Sequence, residues 1–274
     1  MGFVRKQVDD ILLFTIPSFT KTGLVKHGFT SRRGGVSSGH YSSLNLAFHV
    51  GDNPDCVREN RNKVLSIFGY SPDRLVAGEQ VHGSQVYVVT AKDAGKGGTS
   101  LDTAIAGTDA LITNNPGVLL SSYYADCVPL FFLDPEHKGI GLAHAGWKGT
   151  VQEIGVHTLK AMSENFGTDP GCCLAAVGPS IGPCCYQVDS HVYQRFAERF
   201  DYHQNFFKIE AEGKWKLNLQ RANYEQLVRA GIRSENITVS SLCTACCQDI
   251  FFSYRKDQGK TGRQASLIML AGES

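Results

Sequence analysis

The stretch Ser121-Ser-Tyr-Tyr-Ala-Asp-Cys127-Val-Pro-Leu-Phe-Phe-Leu-Asp134-Pro-Glu-His-Lys-Gly139-Ile-Gly-Leu-Ala-His144-Ala-Gly-Trp-Lys148-Gly-Thr150 decides the fold. Val128 to Leu133 and Gly139 to Ala143 are short apolar runs bounded by turn residues, and Asp134 to Gly139 supplies the turn between them. An antiparallel hairpin of these strands brings Cys127, at the entry of the first, and His144, at the exit of the second, to one end of a sheet. Thr150-Val-Gln-Glu153 carries a capping-box pattern that predicts a helix from Thr150. Lys148 and free amides near Gly149 would then favour an anion beside His144.

Working outward, 274 residues with 42% hydrophobic and 19% charged side chains suffice for a large core, read as a single domain over residues 1–274. A net charge of +1 lacks the basic excess of a nucleic-acid or membrane-surface protein, so a small-molecule ligand is expected. The apolar run Ile11 to Ile16 is too short for a signal peptide and reads as a first strand, and no run is long enough to span a bilayer. Met1-Gly2 lacks the Ser or Thr that a myristoylation site wants, having Lys6 there. Nine cysteines, an odd count without an export signal, indicate free thiols in a cytoplasmic protein. Cys243-Thr-Ala-Cys246 is a nominal C-x-x-C without a second such pair, and a zinc ribbon is not expected.

Leu24 to Lys26 reads as a strand, after which Arg32 and the Gly34-Gly35 turn offer a guanidinium and closely approachable amides to an oxyanion. The opposing reading is a hairpin turn with a solvated arginine. Asn53 caps a helix that Pro54 opens and Gly69 ends. His82 falls in a loop before the strand Val86 to Val89, and Ala91 to Thr103 reads as a mobile surface loop. Further strands are expected at Gly107 to Thr113, Gly117 to Ser122, Leu174 to Val177, Ile237 to Ser240, Ile250 to Tyr254 and Ala265 to Leu270. Helices are expected at Thr150 to Asn165, Asp189 to Phe200 and Asn218 to Ala230. The pattern is α+β: mixed, largely antiparallel sheets packed with outer helices.

His82, Cys127 and His144 stand out as possible partners. Two imidazoles and a thiolate make a zinc site with one position open to water, whose pKa zinc would lower to about 7. Alternatively Cys127 acts as a nucleophile with His144 as its base, in a hydrolase or amidase. A third reading is a metal or nucleotide sensor without turnover.

The motifs His27-Gly-Phe-Thr-Ser-Arg-Arg-Gly-Gly-Val-Ser, Ser43-Leu-Asn-Leu, Val50-Gly-Asp, Asn60-Arg61, Gln80-Val-His82, Thr108-Asp-Ala, Ala125-Asp-Cys127-Val-Pro, His144-Ala-Gly-Trp-Lys-Gly-Thr, Gly178-Pro-Ser-Ile-Gly, Phe252-Ser-Tyr-Arg255 and Thr261-Gly-Arg263 occur in one order across nearly the whole chain. In these the sequence resembles the YfiH/YlmD family, once described as laccase-like polyphenol oxidases and later as purine nucleoside phosphorylases with adenosine deaminase activity. The resemblance implies a YfiH/cysteine-hydrolase-like fold and a metal held by His82, Cys127 and His144. It implies purine nucleosides (adenosine, inosine, methylthioadenosine or guanosine) and phosphate as substrates, and links some relatives to peptidoglycan-precursor editing. Asn218 stands where relatives often carry Asp, and Ser180 where many have Cys. The H-x-E and P-C-x-x-C signature of nucleobase deaminases is absent.

Zinc is expected in preference to copper. A blue-copper site usually adds an axial Met, whereas Met162 falls in a core helix and Met269 in a core strand, and nine scattered histidines form no His-x-His pair. Arg32, Gly34, Gly35, Lys148 and Gly149 are the candidates for phosphate, and Asp126 a further candidate for acid or base. The oligomeric state stays open.

Overall fold

The hairpin expected from the central stretch forms in the register it requires: Val128 pairs with Ala145, Pro129 with His144 and Asp134 with Gly139. The computed structural model describes residues 2–272. Met1, on which the myristoylation expectation begins, lies outside them.

In chain order the elements are β1 (Val4–Val8), β2 (Ile11–Thr15), α1 (Pro17–Thr22), β3 (Val25–Thr30), α2 (Pro54–Phe68), β4 (Leu75–Ala77), β5 (Val86–Val88), β6 (Ala110–Thr113), β7 (Leu119–Tyr124), β8 (Val128–Asp134), β9 (Gly139–Ala145), α3 (Trp147–Val151), α4 (Ile154–Phe166), β10 (Leu174–Val177), β11 (Gln187–Asp189), α5 (Ser190–Arg199), β12 (Phe207–Ala211), β13 (Lys214–Leu217), α6 (Leu219–Arg229), β14 (Ile237–Val239) and β15 (Gln264–Leu270). Two six-stranded sheets, ordered β1-β2-β3-β15-β7-β4 and β14-β10-β8-β9-β6-β5, carry the fold, with a small sheet β11-β13-β12. Among the described residues the strand pairs that run parallel are β4 with β7, β5 with β6 and β10 with β14. The α+β reading with mixed, largely antiparallel sheets therefore holds.

Every residue of β8 and β9 is buried, because both faces are covered. Side-chain alternation divides β8 between two cores. Phe131 and Leu133 meet Phe14, Phe29 and Ile268 of the opposite sheet. Val128, Leu130 and Phe132 face Ile154, Leu159 and Met162 of α4 and Leu227 of α6. On the far side, Val64, Leu65 and Phe68 of α2 pack on Leu13, Leu119, Leu267 and Met269. The layers run helix, sheet, sheet, helix. No helix among the described residues is long and apolar enough to cross a membrane.

Three expectations give way to tertiary contacts. The helix predicted from Thr150 starts at Trp147, stops at Val151 and resumes at Ile154, with Glu153 left-handed at φ 58° between the two pieces. Thr150 and Glu153 form no capping box: the Thr150 hydroxyl accepts a bond from Asn223 Nδ2 at 3.0 Å and Glu153 pairs with Arg199. Ile250 to Tyr254 is not a strand but a turn segment, in which the Gln264 side chain binds both the amide and the carbonyl of Phe252. Ala91 to Thr103 is anchored. Asp93 closes a capping box with Thr90, and the buried Arg61 guanidinium donates to the carbonyls of Gly97 and Gly98.

Candidate metal centre and substrate cavity

Cys127 leaves a bend between β7 and β8 in which Asp126 holds φ 84°. That conformation is costly for a non-glycine residue, and three bonds hold it. Asp126 Oδ1 accepts from Thr244 Oγ1 at 2.6 Å, Oδ2 from the Arg255 amide at 2.7 Å, and the carbonyl from the Ile181 amide at 2.9 Å. Asp126, a candidate acid or base from the sequence, is thus a buried hub that ties the bend before Cys127 to the loops carrying Ile181, Thr244 and Arg255.

His144 sits near the end of β9, and His82 in a loop at φ 61°. Both depend on Asp109. Its carboxylate accepts from His144 Nδ1 at 2.8 Å and from the amides of Val81, His82 and Gly83 at 3.1, 3.0 and 2.7 Å. A carboxylate that only accepts requires a proton on His144 Nδ1, which leaves Nε2 as the ring's ligand atom. The loop is tied a second time by the Gln80 side chain, which bonds the amide and the carbonyl of Tyr123 on β7.

The ligand atoms of His82, Cys127 and His144 all lie within 4.8 Å of one another, and the two rings meet edge to face with centroids 4.8 Å apart. Gly146 makes this possible: a Cβ there would stand 2.9 Å from His82 Cδ2 and 3.1 Å from Cys127 Sγ. Burial would raise the Cys127 thiol, but His144 and His82 outweigh it and bring it down to about 6. Burial would lower His144, but Cys127 and Asp109 bring it up to about 9. Burial likewise opposes ionisation of Asp109, yet His144 and the loop amides hold it below its ordinary value. Two imidazoles and a readily ionised thiolate, oriented by a carboxylate, are a donor set that fits a borderline-soft cation.

The trio opens into a cavity of about 490 Å³, within the range of small-molecule sites. Its walls include the aromatic rings of Tyr123, Trp147, Tyr186 and Tyr254, and three cations, Lys148, Arg255 and Arg263. Of the residues expected from the sequence, Lys148 and Asp126 line it. Gly149 is buried beside Lys148, where a Cβ would make a tight contact of 3.1 Å with the Gly83 carbonyl oxygen. Arg32 is placed elsewhere. It donates to the carbonyls of Ser42 and Gln248, stacks on Phe252 at 4.5 Å and lines a separate depression with His40, Lys256 and Lys260. Gly34 and Gly35 serve the packing of that loop, where a Cβ would meet the carbonyl oxygens of Asp10 and Ser43 at 2.4 and 2.2 Å.

Asp109, Gly146, His49 and Arg263 line or support the site without having been assigned a role from the sequence. Thr108-Asp-Ala and Thr261-Gly-Arg263 were visible as motifs, but a second carboxylate behind a histidine has no spacing signature. His49 is held down to about 4, by burial first and then by Arg263, so it is neutral near pH 7.

Comparison with known proteins agrees with this architecture. Residues 26–271 match a family model described as "Multi-copper polyphenol oxidoreductase laccase". The chain is 39% identical over 242 residues to purine nucleoside phosphorylase YlmD of Geobacillus stearothermophilus, covering 88% of each, and 40% identical over 241 residues to that of Bacillus subtilis, covering 88% of this chain and 87% of the relative. The crystal structure of Bacillus licheniformis YfiH superposes with a TM-score of 0.93 at 38% identity, covering 97% of this chain and 99% of that one. YlmD from Geobacillus stearothermophilus gives 0.93 at 36%, covering 99% and 100%. With this coverage and the His82, Cys127 and His144 cluster at the head of its central hairpin, the chain belongs to the YfiH/YlmD family.

Proposed function

We propose that residues 1–274 form one cytoplasmic catalytic domain, a zinc-dependent purine nucleoside phosphorylase that also deaminates adenosine. The observation that carries the reading is the single cavity shared by His82, Cys127 and His144, by aromatic walls suited to a purine, and by Lys148 and Arg263 suited to phosphate. The names of the relatives support the phosphorylase part. Bound zinc would supply Lewis acidity at the position its three ligands leave open.

In phosphorolysis a phosphate oxygen bonds to ribose C1′ as the bond to the purine nitrogen breaks, and the purine leaves with the electron pair and takes up a proton. Lys148 and Arg263 hold the phosphate and Arg255 adds positive potential. Arg263 is kept in place by bonds from its Nη1 to the carbonyls of Thr261 and Gly262. Each Asp126 oxygen accepts one bond, from Thr244 and from the Arg255 amide, which suits Asp126 to positioning Cys127. In deamination, water adds at C6 of adenosine and ammonia leaves. Zinc is preferred to copper because Met162 and Met269 are each buried in an outer layer's core, so neither can serve as an axial ligand.

The test is adenosine turnover with and without phosphate, with products identified. Adenine and ribose 1-phosphate should form only with phosphate, and inosine without it. Lys148→Ala should raise the KM for phosphate more than that for nucleoside. Absence of both products in metal-replete protein would sink the proposal.

A further inference from the structure

A second cluster of sulfurs lies outside the cavity. Cys184 and Cys185 belong to the turn after β10, and Cys243 and Cys246 to the loop after β14. The two loops meet through a bridge between Ser180 and Cys243, and the Thr244 amide donates to the Ser180 carbonyl at 3.0 Å. All four Sγ atoms lie within 4.8 Å of one another, with Cys246 at 3.5 Å from Cys184 and 3.4 Å from Cys185.

From this geometry we propose a second metal site, a tetrathiolate for zinc held by Cys184, Cys185, Cys243 and Cys246. Zinc–sulfur bonds of about 2.3 Å at tetrahedral angles set sulfurs about 3.8 Å apart, which matches the spacing of the cluster. Four thiolates select a soft or borderline tetrahedral cation over an oxygen-seeking one. The surroundings are built for sulfur. The Gly182 amide donates to Cys243 Sγ at 3.2 Å, and a Cβ on Gly182 would press on Cys243 Cβ at 3.2 Å and Cys184 Sγ at 3.3 Å. Such an amide is the outer-shell partner a metal thiolate takes. Cys246 is almost equally near two thiols, and all four sulfurs lie in mutual reach, an arrangement that one cation engages as a whole. No proton or electron balance is involved beyond release of the thiol protons on binding.

The site would join the two loops that shape the cavity wall. Ile181 and Tyr186, on either side of the cysteine pair, line the cavity, and Thr244, inside the C-x-x-C, holds Asp126 beneath Cys127. The metal is thus a staple for the Asp126 hub, separate from the His82, Cys127 and His144 centre.

The experiment is metal analysis of reduced protein purified without added metal, together with alkylation of the intact protein. Wild-type protein should carry two equivalents of zinc. His82→Ala/His144→Ala protein should keep one, and adding Cys243→Ser/Cys246→Ser should remove it. In wild-type protein, which sidesteps any folding defect of the variants, Cys184 and Cys246 are exposed yet should alkylate roughly tenfold or more faster once a chelator is added, while exposed Cys172 should not change. The proposal is overturned if the His82→Ala/His144→Ala protein holds no metal, if chelation leaves Cys184 and Cys246 reactivity unchanged, or if peptide mapping finds a disulfide among the four.

Discussion

Asp109 and His144 are joined twice: the Asp109 carboxylate accepts a hydrogen bond from His144 Nδ1 at 2.8 Å, and the Asp109 carbonyl accepts one from the His144 amide at the same distance. The same carboxylate gathers the Val81, His82 and Gly83 amides, so one buried side chain sets both histidines. Asp109→Asn keeps the shape but places a donor where four donors converge. Metal affinity, measured by chelator competition, should fall about 10- to 100-fold. Unchanged affinity would show that the histidines are oriented without Asp109.

The two histidines should differ in what their loss does to the fold. His82 is exposed, and His82→Ala should remove the metal with little change in stability. His144 is 3% exposed, and its removal leaves a buried carboxylate short of one partner, a cost of about 1–3 kcal/mol. Cys127→Ala, which leaves the His144 ring its Asp109 partner, should also abolish metal binding and activity. Urea unfolding of the three variants checks the order; equal stabilities would contradict it.

Gly146→Ala tests the closeness of the trio. Its methyl group would meet His82 Cδ2 at 2.9 Å and Cys127 Sγ at 3.1 Å, so one ligand must shift. The variant should fold, since Gly146 has an ordinary φ of −67°, but bind metal more weakly. Wild-type affinity in this variant would mean that the ligands have slack.

Much of this was legible in the chain. The β8–β9 hairpin followed from two apolar runs and one turn, and α2 from its Asn53 cap, Pro54 and Gly69, because those signals are local. The site was legible only through motif order, since His82 reaches Cys127 and His144 through a loop held by Asp109, a contact no periodicity encodes. The Thr150 cap failed because Asn223, 73 residues on, binds the hydroxyl. The glycine-rich turn after Arg32 is compatible with an anion ligand, but it says nothing of where the turn lands: Arg32 bonds the carbonyls of Ser42 and Gln248 and lines a depression apart from the cavity. The four-sulfur cluster escaped notice because one half is an adjacent pair, whose two side chains converge only in a turn.

His27 gives a pH dependence unconnected with the site. It is 6% exposed, accepts the Ile16 amide at Nε2, and burial pushes it down from 6.5 to about 4. A folded pKa below the unfolded one means the unfolded chain binds the proton first. Stability is therefore fully present above pH 6.5 and is lost as pH falls toward 4. The contribution of His27 to that loss between pH 7 and pH 5 is on the order of 2 kcal/mol. His27→Gln, which can still accept from Ile16, should lose correspondingly less stability over that interval in urea titrations. Parallel wild-type and variant curves would remove His27 as the cause.

Metal removal separates the two reactions proposed for one cavity. Phosphorolysis needs phosphate near ribose C1′ with the purine activated as a leaving group, whereas deamination needs water at C6, so the two nucleophiles act at different substrate atoms. If the His82, Cys127 and His144 metal serves both, a chelator should suppress phosphate-dependent release of adenine and phosphate-independent formation of inosine together, and added zinc should restore both. Product analysis by chromatography at matched enzyme concentrations reads the two rates side by side. Chelation should also be repeated on Cys243→Ser/Cys246→Ser protein, so that loss of the second metal is not mistaken for loss of the first. If inosine formation alone disappears, the metal belongs to the water step, and Lys148, Arg255 and Arg263 carry phosphorolysis without it.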